Sequence, residues 1–172
     1  MTIVPAHVRP ARWLNRAYGL ALIAALAVAG WTALPRPVSA ADTRTVARVV
    51  DGDTFDLRDG TRVRVIGVNT PETRPVPQCF GLQAKQLTAS VIPPGSRVRL
   101  SVDREPRDRY GRALRYVAFR DRDGTWRDLG AFLLRRGAAR TMIIPPNDSR
   151  ADLYAGLEAR ARAAGRGLWG VC

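Results

Sequence analysis

Short strand-like segments, rather than long helices, dominate the pattern of this chain. Three segments rich in β-branched residues follow one another between residues 43 and 66, and Asp59-Gly60 is a turn signal before the last of them. Such segments predict antiparallel strands joined by tight turns. Strand patterns return over residues 97–102 and 114–119. Many short strands with few helices are typical of a small barrel.

Three amphipathic helices are predicted over residues 81–92, 128–136 and 149–164, because apolar residues recur there at helical spacing. Five strands with a helix between the third and the fourth indicate a five-stranded OB-fold barrel with three α-helices, an α+β fold. The side chains predicted to face the core are Leu82, Leu87 and Val91 in the first helix, Leu129, Phe132 and Leu133 in the second, and Leu153, Leu157 and Ala161 in the third.

Two of these helices carry terminal signals. Asp128 is the predicted N-cap of the second helix, and Gly137 is its predicted stop. Ser149 and Asp152 resemble a capping box at the start of the third helix.

Residues 1–40 have the order of an export signal. Arginines precede an uncharged run over residues 17–34, and small residues that end at Ala40 offer a cleavage site. We predict a signal peptide over residues 1–40, one domain over residues 41–172, and a secreted or cell-surface protein. An uncleaved membrane anchor is the alternative, because the apolar run approaches the roughly 20 residues of a spanning helix.

The predicted domain is strongly basic. Four of the 28 basic residues lie in residues 1–40, so the remainder carries 24 basic and 15 acidic side chains, a net charge of +9. A small domain of this charge usually binds an anionic partner, and nucleic acid is the first candidate. Because all but one of the basic residues are arginine, genomic composition is an alternative cause of the charge.

The chain has a single histidine, His7, inside the predicted signal. The domain therefore cannot use a histidine general base, a Ser-His-Asp or Cys-His nucleophile, or a His-ligated metal. A hydrolase built from this domain must rely on carboxylates, arginines and a metal ion held by oxygen ligands.

The two cysteines, Cys79 and Cys172, are too few for a zinc cage. Export would place them where disulfides persist, so we expect them to pair. A bridge across this separation would stabilise the fold by about 4 to 5 kcal/mol in the loop-entropy model.

Three polar segments lie at predicted strand ends: Asp51-Gly52-Asp53-Thr54, Asn69-Thr70-Pro71-Glu72-Thr73 and Asp108-Arg109-Tyr110-Gly111-Arg112. Each segment, taken alone, is explained as a turn or a solvated loop. Pro71 holds Thr70 extended and places Glu72 just beyond the strand end, where a carboxylate can point into a cleft. Arg62 and Arg64 occupy every second position of the third strand, so Arg64 could equally be a charged side chain on the outward face of that strand.

In this order and spacing, the segments VVDGDTFDL, RVRVIGVNTPET and DRYGRALRYV resemble the staphylococcal nuclease family of thermonucleases. The likeness runs from about residue 47 to residue 169 and includes the helix end at residues 134–137 and the final Gly167-Leu168-Trp169. The resemblance implies a five-stranded OB barrel with three helices. It also implies a calcium-dependent phosphodiesterase that cuts DNA and RNA and leaves 3′-phosphate ends.

The resemblance assigns site residues position by position. The matches to catalytic and phosphate-binding positions are Arg64, Glu72 and Arg112. The matches to metal ligands, all through oxygen, are Asp53, Asn69 and the backbone carbonyl of Thr70. The matches to residues that contact a terminal phosphate are Arg109 and Tyr110.

These residue types suit the reaction independently of the family. Calcium takes hard oxygen ligands, neutralises a phosphate oxygen and orients water. Glu72 would accept or position the proton of the attacking water. Guanidinium groups bind phosphate oxygens bidentately and stay charged, so two arginines can stabilise the extra negative charge of the transition state.

The sequence departs from the family pattern at three places. Asn69 stands where the staphylococcal enzyme has Asp, which keeps an oxygen ligand but removes one negative charge, so a divalent ion other than Ca²⁺ could be preferred. Met142 and Ile144 replace the aromatic pair expected to cradle a base, and stacking contributes ~1 to 3 kcal/mol per base, so weaker binding or altered base preference is expected. The loop over residues 73–79 is shorter, so its substrate contacts do not carry over.

Two other classes of function fit the same features. A catalytically weak or inactive OB-fold module could bind nucleic acid with its metal site decayed at Asn69. A cell-surface domain could use its arginines to bind anionic polymer or lipid. Only the enzyme hydrolyses nucleic acid in a metal-dependent manner, whereas binding is salt-sensitive in every case. No stable protein partner is indicated, so we expect a monomer, with membrane contact only if the N-terminal segment is retained.

Overall fold

The computed structural model describes residues 42–172, so the predicted signal and the predicted boundary at residues 40 and 41 lie outside the described residues. Strands and helices alternate over the described part of the chain as β1 (Asp42–Asp51), β2 (Thr54–Leu57), β3 (Arg62–Val65), β4 (Gly67–Asn69), α1 (Gly81–Val91), β5 (Arg97–Ser101), β6 (Ala113–Arg120), β7 (Trp126–Asp128), α2 (Leu129–Arg135), β8 (Arg140–Met142), α3 (Ala151–Ala163) and α4 (Leu168–Val171). Within this range, every helix is too short or too polar to span a bilayer.

Five of the strands close into a barrel. β2 pairs antiparallel with both β1 and β3, and β5 pairs antiparallel with both β1 and β6. The circle is completed by parallel pairing of β3 with β6, from Val63 opposite Ala113 to Val65 opposite Arg115. A closed barrel has no exposed strand edge. The predicted five-stranded OB-fold barrel is therefore confirmed.

Three short strands were not expected from the sequence. β7 extends the barrel sheet beside β6, and β4 pairs with β8 in a separate ladder, with Gly67 opposite Met142 and Asn69 opposite Arg140. Three-residue strands are too short to carry a recognisable alternation. Gly67, the first residue of β4, has φ +80°, a conformation that favours glycine, and it redirects the chain after β3.

The barrel interior is filled by apolar side chains from its strands, and Val46, Phe55, Val63, Val98 and Phe119 are each no more than 2 % exposed. The second helix packs as predicted, since Leu129 and Leu133 are fully buried and Phe132 lies partly buried at the core edge. This core anchors the elements whose ends carry the polar residues.

Two predicted helix faces need correction. In α1, Leu82 is 51 % exposed, and the helix instead buries the smaller Ala84 and Thr88, with Leu87 and Val91 partly buried. In α3, Leu153 is 51 % exposed and Tyr154 is fully buried beside the predicted Leu157 and Ala161. In each helix a buried hydroxyl group is hydrogen-bonded on the inward face, Thr88 to the Gly52 carbonyl and Tyr154 to the Asp128 carboxylate.

Of the two predicted helix N-termini, the cap of α2 is confirmed and the capping box of α3 is wrong. The Asp128 side chain accepts a hydrogen bond from the Ala131 N–H at 2.6 Å, so it is the N-cap of α2, and Gly137 follows the helix with φ +66°. The capping box at α3 is wrong, because the N-cap of this helix is Arg150 and has no side-chain cap. The Ser149 hydroxyl donates instead to the Asp103 carboxylate at 2.7 Å, a charged acceptor in another loop.

The predicted disulfide is present. Cys79 and Cys172 are bonded with their Cα atoms 5.9 Å apart, and the bridge closes 93 positions of the chain. It joins the segment before α1 to the C-terminal residue. The disulfide therefore restrains the loop that follows Glu72.

Candidate active site

The turn between β1 and β2 holds a buried carboxylate. Asp53 is 5 % exposed. Its Oδ1 accepts from the Thr54 hydroxyl at 2.9 Å, and its Oδ2 accepts from the Thr70 N–H at 2.7 Å. The same Oδ2 lies 3.0 Å from Nη1 of Arg64. The first two predicted motifs are thus joined directly through Asp53.

This turn is supported from two sides. A Cβ at Gly52 would lie 2.7 Å from the methyl of Thr70, so the turn packs against the segment after β4 without room for a side chain. The Gly52 carbonyl also accepts a hydrogen bond from the Thr88 hydroxyl of α1 at 2.5 Å. The segment is a tight turn, as its Asp-Gly pair indicates, and the same turn fixes the orientation of Asp53.

Arg64 is buried, with 7 % exposure, so its interpretation as an outward strand charge is wrong. Its guanidinium donates to the Val68 carbonyl at 2.7 Å and to Oδ1 of Asn69 at 2.8 Å, in addition to its ion pair with Asp53. Burial lowers the pKa of Arg64 below its ordinary value, Asp53 opposes this shift, and the charge of Arg112 adds to it. The group still carries its charge at neutral pH.

Glu72 is exposed, and its backbone is held firmly just beyond β4. Its N–H donates to the side-chain oxygen of Gln78 at 2.9 Å, and its carbonyl accepts from the Gln78 N–H at 2.9 Å. A Cβ at Gly81 would lie 2.5 Å from that carbonyl. The partial desolvation of this side chain raises the pKa of Glu72, and the negative charges of Asp53 and Asp51 raise it further. A carboxylate with a raised pKa is a better proton acceptor near neutral pH.

Arg112 is oriented by an aspartate in its own loop. The Asp108 carboxylate accepts from the backbone N–H groups of Tyr110 and Arg112 at 3.0 Å and 2.9 Å, and from Nε of Arg112 at 2.6 Å. Burial acts to raise the pKa of Asp108, but the hydrogen bonds and charge of Arg112, together with the hydrogen bond from the Tyr110 N–H, outweigh it and lower the pKa. The Arg112 side chain is 30 % exposed, so part of its guanidinium is accessible to a ligand.

A cavity of about 550 Å³ lies beside these arginines, and Arg64 and Arg112 line one part of it. Arg109 and Tyr110 line another part, with Nη2 of Arg109 donating to the Tyr110 hydroxyl at 2.7 Å. The apolar part includes Met142 and Ile144, which are 39 % and 60 % exposed, and Pro145. The cavity can therefore take a ligand that has both an anionic group and a flat or apolar group.

The oxygen-rich end of the site suits a hard divalent cation. Among residues 42–172, no three His, Cys, Asp or Glu side chains gather closely enough to form a metal cage by themselves. The predicted ligand set instead combines Asp53 with the Asn69 amide oxygen and the Thr70 carbonyl, which are the donors that calcium accepts. The buried Thr70 hydroxyl at this place lacks a hydrogen-bond partner within the described residues. Desolvation is the main cause of the raised pKa of Glu72, and the negative charges of Asp53 and Asp51 add to it, so a cation here would oppose the second effect.

Sequence reasoning missed the residues that hold the site in place. Gln78 is hydrogen-bonded to the backbone of Glu72, Asp108 to the side chain of Arg112, and Thr88 to the turn that carries Asp53. Asn147 is 4 % exposed and accepts from the N–H groups of Arg104 and Glu105 at 3.0 Å and 2.8 Å, which secures the loop before β6. Only Asp108 had a signal in the sequence, since it lies four residues before Arg112 in the segment DRYGRALRYV.

Comparison with known proteins decides the family. The family model described as Staphylococcal nuclease homologue matches residues 62–171, which is more than half of the chain. The chain belongs to this family. The resemblance inferred from the three motifs is therefore confirmed.

Several curated relatives of this staphylococcal nuclease homologue cover most of its length. A Thermonuclease of Staphylococcus intermedius is 40 % identical over 131 residues, which cover 72 % of this chain and 74 % of the relative. A Thermonuclease of Staphylococcus hyicus is 34 % identical over 137 residues, covering 74 % and 75 %. A Micrococcal nuclease of Shigella flexneri is 30 % identical over 162 residues, covering 90 % and 84 %. These relatives support a nuclease function with nucleic acid as substrate.

Proposed function

We propose that this protein is a secreted, monomeric, metal-dependent endonuclease that hydrolyses DNA and RNA to products with 3′-phosphate ends. The observation that carries the proposal is the buried ion pair between Arg64 and Asp53, with Glu72 and Arg112 within electrostatic range of it. These four side chains come from three separate segments of the sequence. A non-catalytic barrel has no need of a buried arginine among carboxylates, since such a pair contributes little net stability.

Asp53, Asn69 and the Thr70 carbonyl are the groups that would hold the cation. When bound, a divalent ion such as Ca²⁺ would neutralise a phosphate oxygen and orient water. The Asn69 amide gives this site one negative charge fewer than a second carboxylate would give. We propose Ca²⁺ as the physiological ion, with another divalent ion as the alternative at this weaker site.

The reaction is an attack of water on phosphorus. The water oxygen forms a bond to phosphorus, the bond from phosphorus to the 5′ oxygen breaks, and the products are a 3′-phosphate and a 5′-hydroxyl. Glu72 takes the proton of the attacking water, and the 5′ oxygen takes a proton from solvent. Arg64 and Arg112 donate to the phosphate oxygens and stabilise the charge that increases in the transition state.

Substrate groups beside the scissile phosphate would use the neighbouring cavity. Arg109 and Tyr110 lie at its exposed side, where a terminal phosphate can accept hydrogen bonds from both. Met142 and Ile144 offer an apolar surface for a base, without the stacking of two aromatic rings. We therefore propose weak base preference.

The decisive experiment measures cleavage of single-stranded DNA and of RNA by the protein that begins at Ala41, with calcium, magnesium or chelator. We expect metal-dependent hydrolysis and 3′-phosphate ends. Glu72→Gln and Arg112→Ala should each lower kcat by about 10² to 10³, the range for loss of one general base or one charged donor. Asp152→Asn and Arg122→Ala are controls at exposed positions that line neither the cavity nor its neighbouring strands, and they should retain activity.

Full activity in a folded Glu72→Gln or Arg112→Ala variant would contradict the mechanism. Salt-sensitive binding without hydrolysis under any metal condition would favour the non-catalytic nucleic-acid-binding module, which the neutral Asn69 makes the second candidate. Tight binding to heparin with no nucleic-acid binding would favour the anionic-polymer domain. Export is tested separately, because a cleaved secreted form should begin at Ala41 by N-terminal sequencing.

A further inference from the structure

A second, larger groove opens beside the active-site cavity. It has a volume of about 960 Å³ and lies over the β1–β2 hairpin and the β2–β3 turn, between Ala47 and Arg62. We call it the hairpin groove. Its lining shares Arg107, Tyr110 and Arg112 with the cavity, so the two concave surfaces meet at the Arg112 loop. A chain-like ligand can therefore extend from one to the other.

The hairpin groove is strongly positive. Asp56 is the one acidic residue in its lining, against five arginines, so the lining carries a net charge of +4. The arginines are Arg48, Arg58, Arg62, Arg107 and Arg112. A concave surface of one sign concentrates an anionic ligand of the opposite sign.

The single aspartate fixes two of these arginines in place. Arg48 and Arg62 approach opposite oxygens of the Asp56 carboxylate, each at 2.7 Å. Asp56 is only 14 % exposed, whereas the side chains of Arg48 and Arg62 are 68 % and 47 % exposed. The N–H groups that do not bind Asp56 are therefore exposed to solvent, and the contact with Asp56 restricts the motion of both side chains. A ligand that binds such oriented groups loses less side-chain entropy than one that binds mobile groups.

We propose that the hairpin groove binds the sugar-phosphate backbone of a single polynucleotide strand whose scissile phosphate lies at Arg112. The inference rests on the proposed function, because it names the extended substrate of that site. A strand carries one phosphate per nucleotide, and the exposed guanidinium groups of the lining offer several donors to such a series of phosphates. Tyr110, at the junction with the cavity, is the one aromatic side chain in the lining, so the groove holds backbone without stacking bases. Binding there is independent of sequence.

The test compares two double variants with the same loss of charge. Arg58→Gln with Arg62→Gln changes the hairpin groove and leaves Arg48 paired with Asp56. Arg122→Gln with Arg160→Gln is the control, since neither residue lines the groove or the cavity. Fluorescence anisotropy measures binding of labelled dT4 and dT16 in chelator at 50 to 200 mM NaCl, where no cleavage is needed.

We expect the groove variant to lower the affinity ratio of dT16 to dT4 by about tenfold, since two exposed phosphate contacts are lost. The slope of log K against log salt for dT16 should become shallower by about 1.4, or about 0.7 per contact on a single strand. The control should match the wild type in the ratio. If the double groove variant does not fold, Arg58→Gln alone should give about half the change in slope.

Identical ratios and slopes in the groove variant and the control would overturn the proposal. This result is distinct from failure of the proposed function. Hydrolysis of the same oligonucleotides is measured separately with metal, and a wild-type protein that binds dT16 without cutting it would refute the nuclease mechanism alone. The binding data would still decide whether the hairpin groove takes the strand.

Discussion

Asp108→Asn should reduce catalysis although Asp108 itself has no part in the chemistry. The carboxylate accepts three hydrogen bonds, and the shortest, at 2.6 Å, comes from Nε of Arg112. An asparagine can still accept from the two backbone N–H groups through its oxygen. The atom facing Arg112 then becomes an NH₂ group, which cannot accept. Arg112 loses its orienting partner while the loop keeps most of its backbone contacts.

The size of the effect follows from the geometry. The Arg112 and Asp108 side chains are 30 % and 16 % exposed, so solvent screens the pair in part, and we expect the loss of folding stability to be about 1 to 2 kcal/mol. A catalytic group displaced by about 1 Å can lose roughly 10² in rate. Removal of one charged donor sets the upper limit at about 10³. We therefore expect kcat to fall by about 30-fold to 100-fold, with little change in KM.

The assay is steady-state cleavage of DNA by Asp108→Asn, Arg112→Ala and the double variant, with urea denaturation of each. If Asp108 acts only through Arg112, the double variant should be no slower than Arg112→Ala alone. If the decrease in kcat of the double variant equals the product of the two single decreases, the reasoning is refuted. An unchanged kcat in Asp108→Asn would refute it as well.

Asp123→Asn is a matched control for that cycle. Asp123 accepts from a backbone N–H two residues later, in Thr125, and from a guanidinium four residues later, in Arg127, as Asp108 does. It lies in the turn between β6 and β7, and its side chain is 54 % exposed. Its replacement should leave kcat unchanged and lower stability by at most about 1 kcal/mol.

Three further outcomes are expected. Replacement of both Cys79 and Cys172 by Ser should lower the free energy of unfolding by about 4 to 5 kcal/mol in urea denaturation, and a loss under about 1 kcal/mol would contradict the loop-entropy estimate. The hydrogen bond from Arg62 lowers the pKa of Asp56 below 3.8, so its stabilisation is complete above that pH and is lost as pH falls through the folded-state pKa. Asp56→Asn should therefore flatten the acid side of the urea-midpoint profile. Asn69→Asp should tighten Ca²⁺ binding in calorimetric titration by about tenfold, since it adds a charged ligand; unchanged affinity would place Asn69 outside the metal site.

The sequence predicts the barrel because its strands are marked by local chemistry. Turn residues separate β1, β2 and β3, and β-branched residues fill them. The closing pair of β3 with β6 joins segments far apart in the chain, so the pattern of either strand cannot show it. A closed barrel was expected from the order of the elements, five strands with a helix after the third, and the family resemblance implied the same barrel. The prediction of buried helix positions was wrong at Leu82 and Leu153. Helical spacing identifies apolar residues on one side of a helix, but it does not show that a residue with a hydroxyl group can be buried there when that group is hydrogen-bonded.

The site shows the same limit more sharply. Arg62 and Arg64 are the same residue type on the same face of β3, yet the first is exposed and the second is 7 % exposed. No periodicity distinguishes them. The difference arises from Gly67, whose positive φ folds the chain back so that the Val68 carbonyl and the Asn69 amide cover Arg64. The alternation of side chains along a strand shows on which face of the sheet a residue lies. Whether that face is exposed to solvent depends on the path of the chain after the strand.

Three of the four side chains of the proposed mechanism lie in chain connections, and only Arg64 lies in a strand, β3. Asp53 lies in one turn, Glu72 follows β4, and Arg112 ends a loop, and each is held by a residue from elsewhere in the chain or the loop: Thr88, Gln78 and Asp108. The barrel brings the ends of these connections together because β3 is paired with both β2 and β6. The four side chains of the proposed mechanism thus depend on barrel closure. A variant that opens the β3–β6 pair should lose activity before it loses the β1–β2 hairpin.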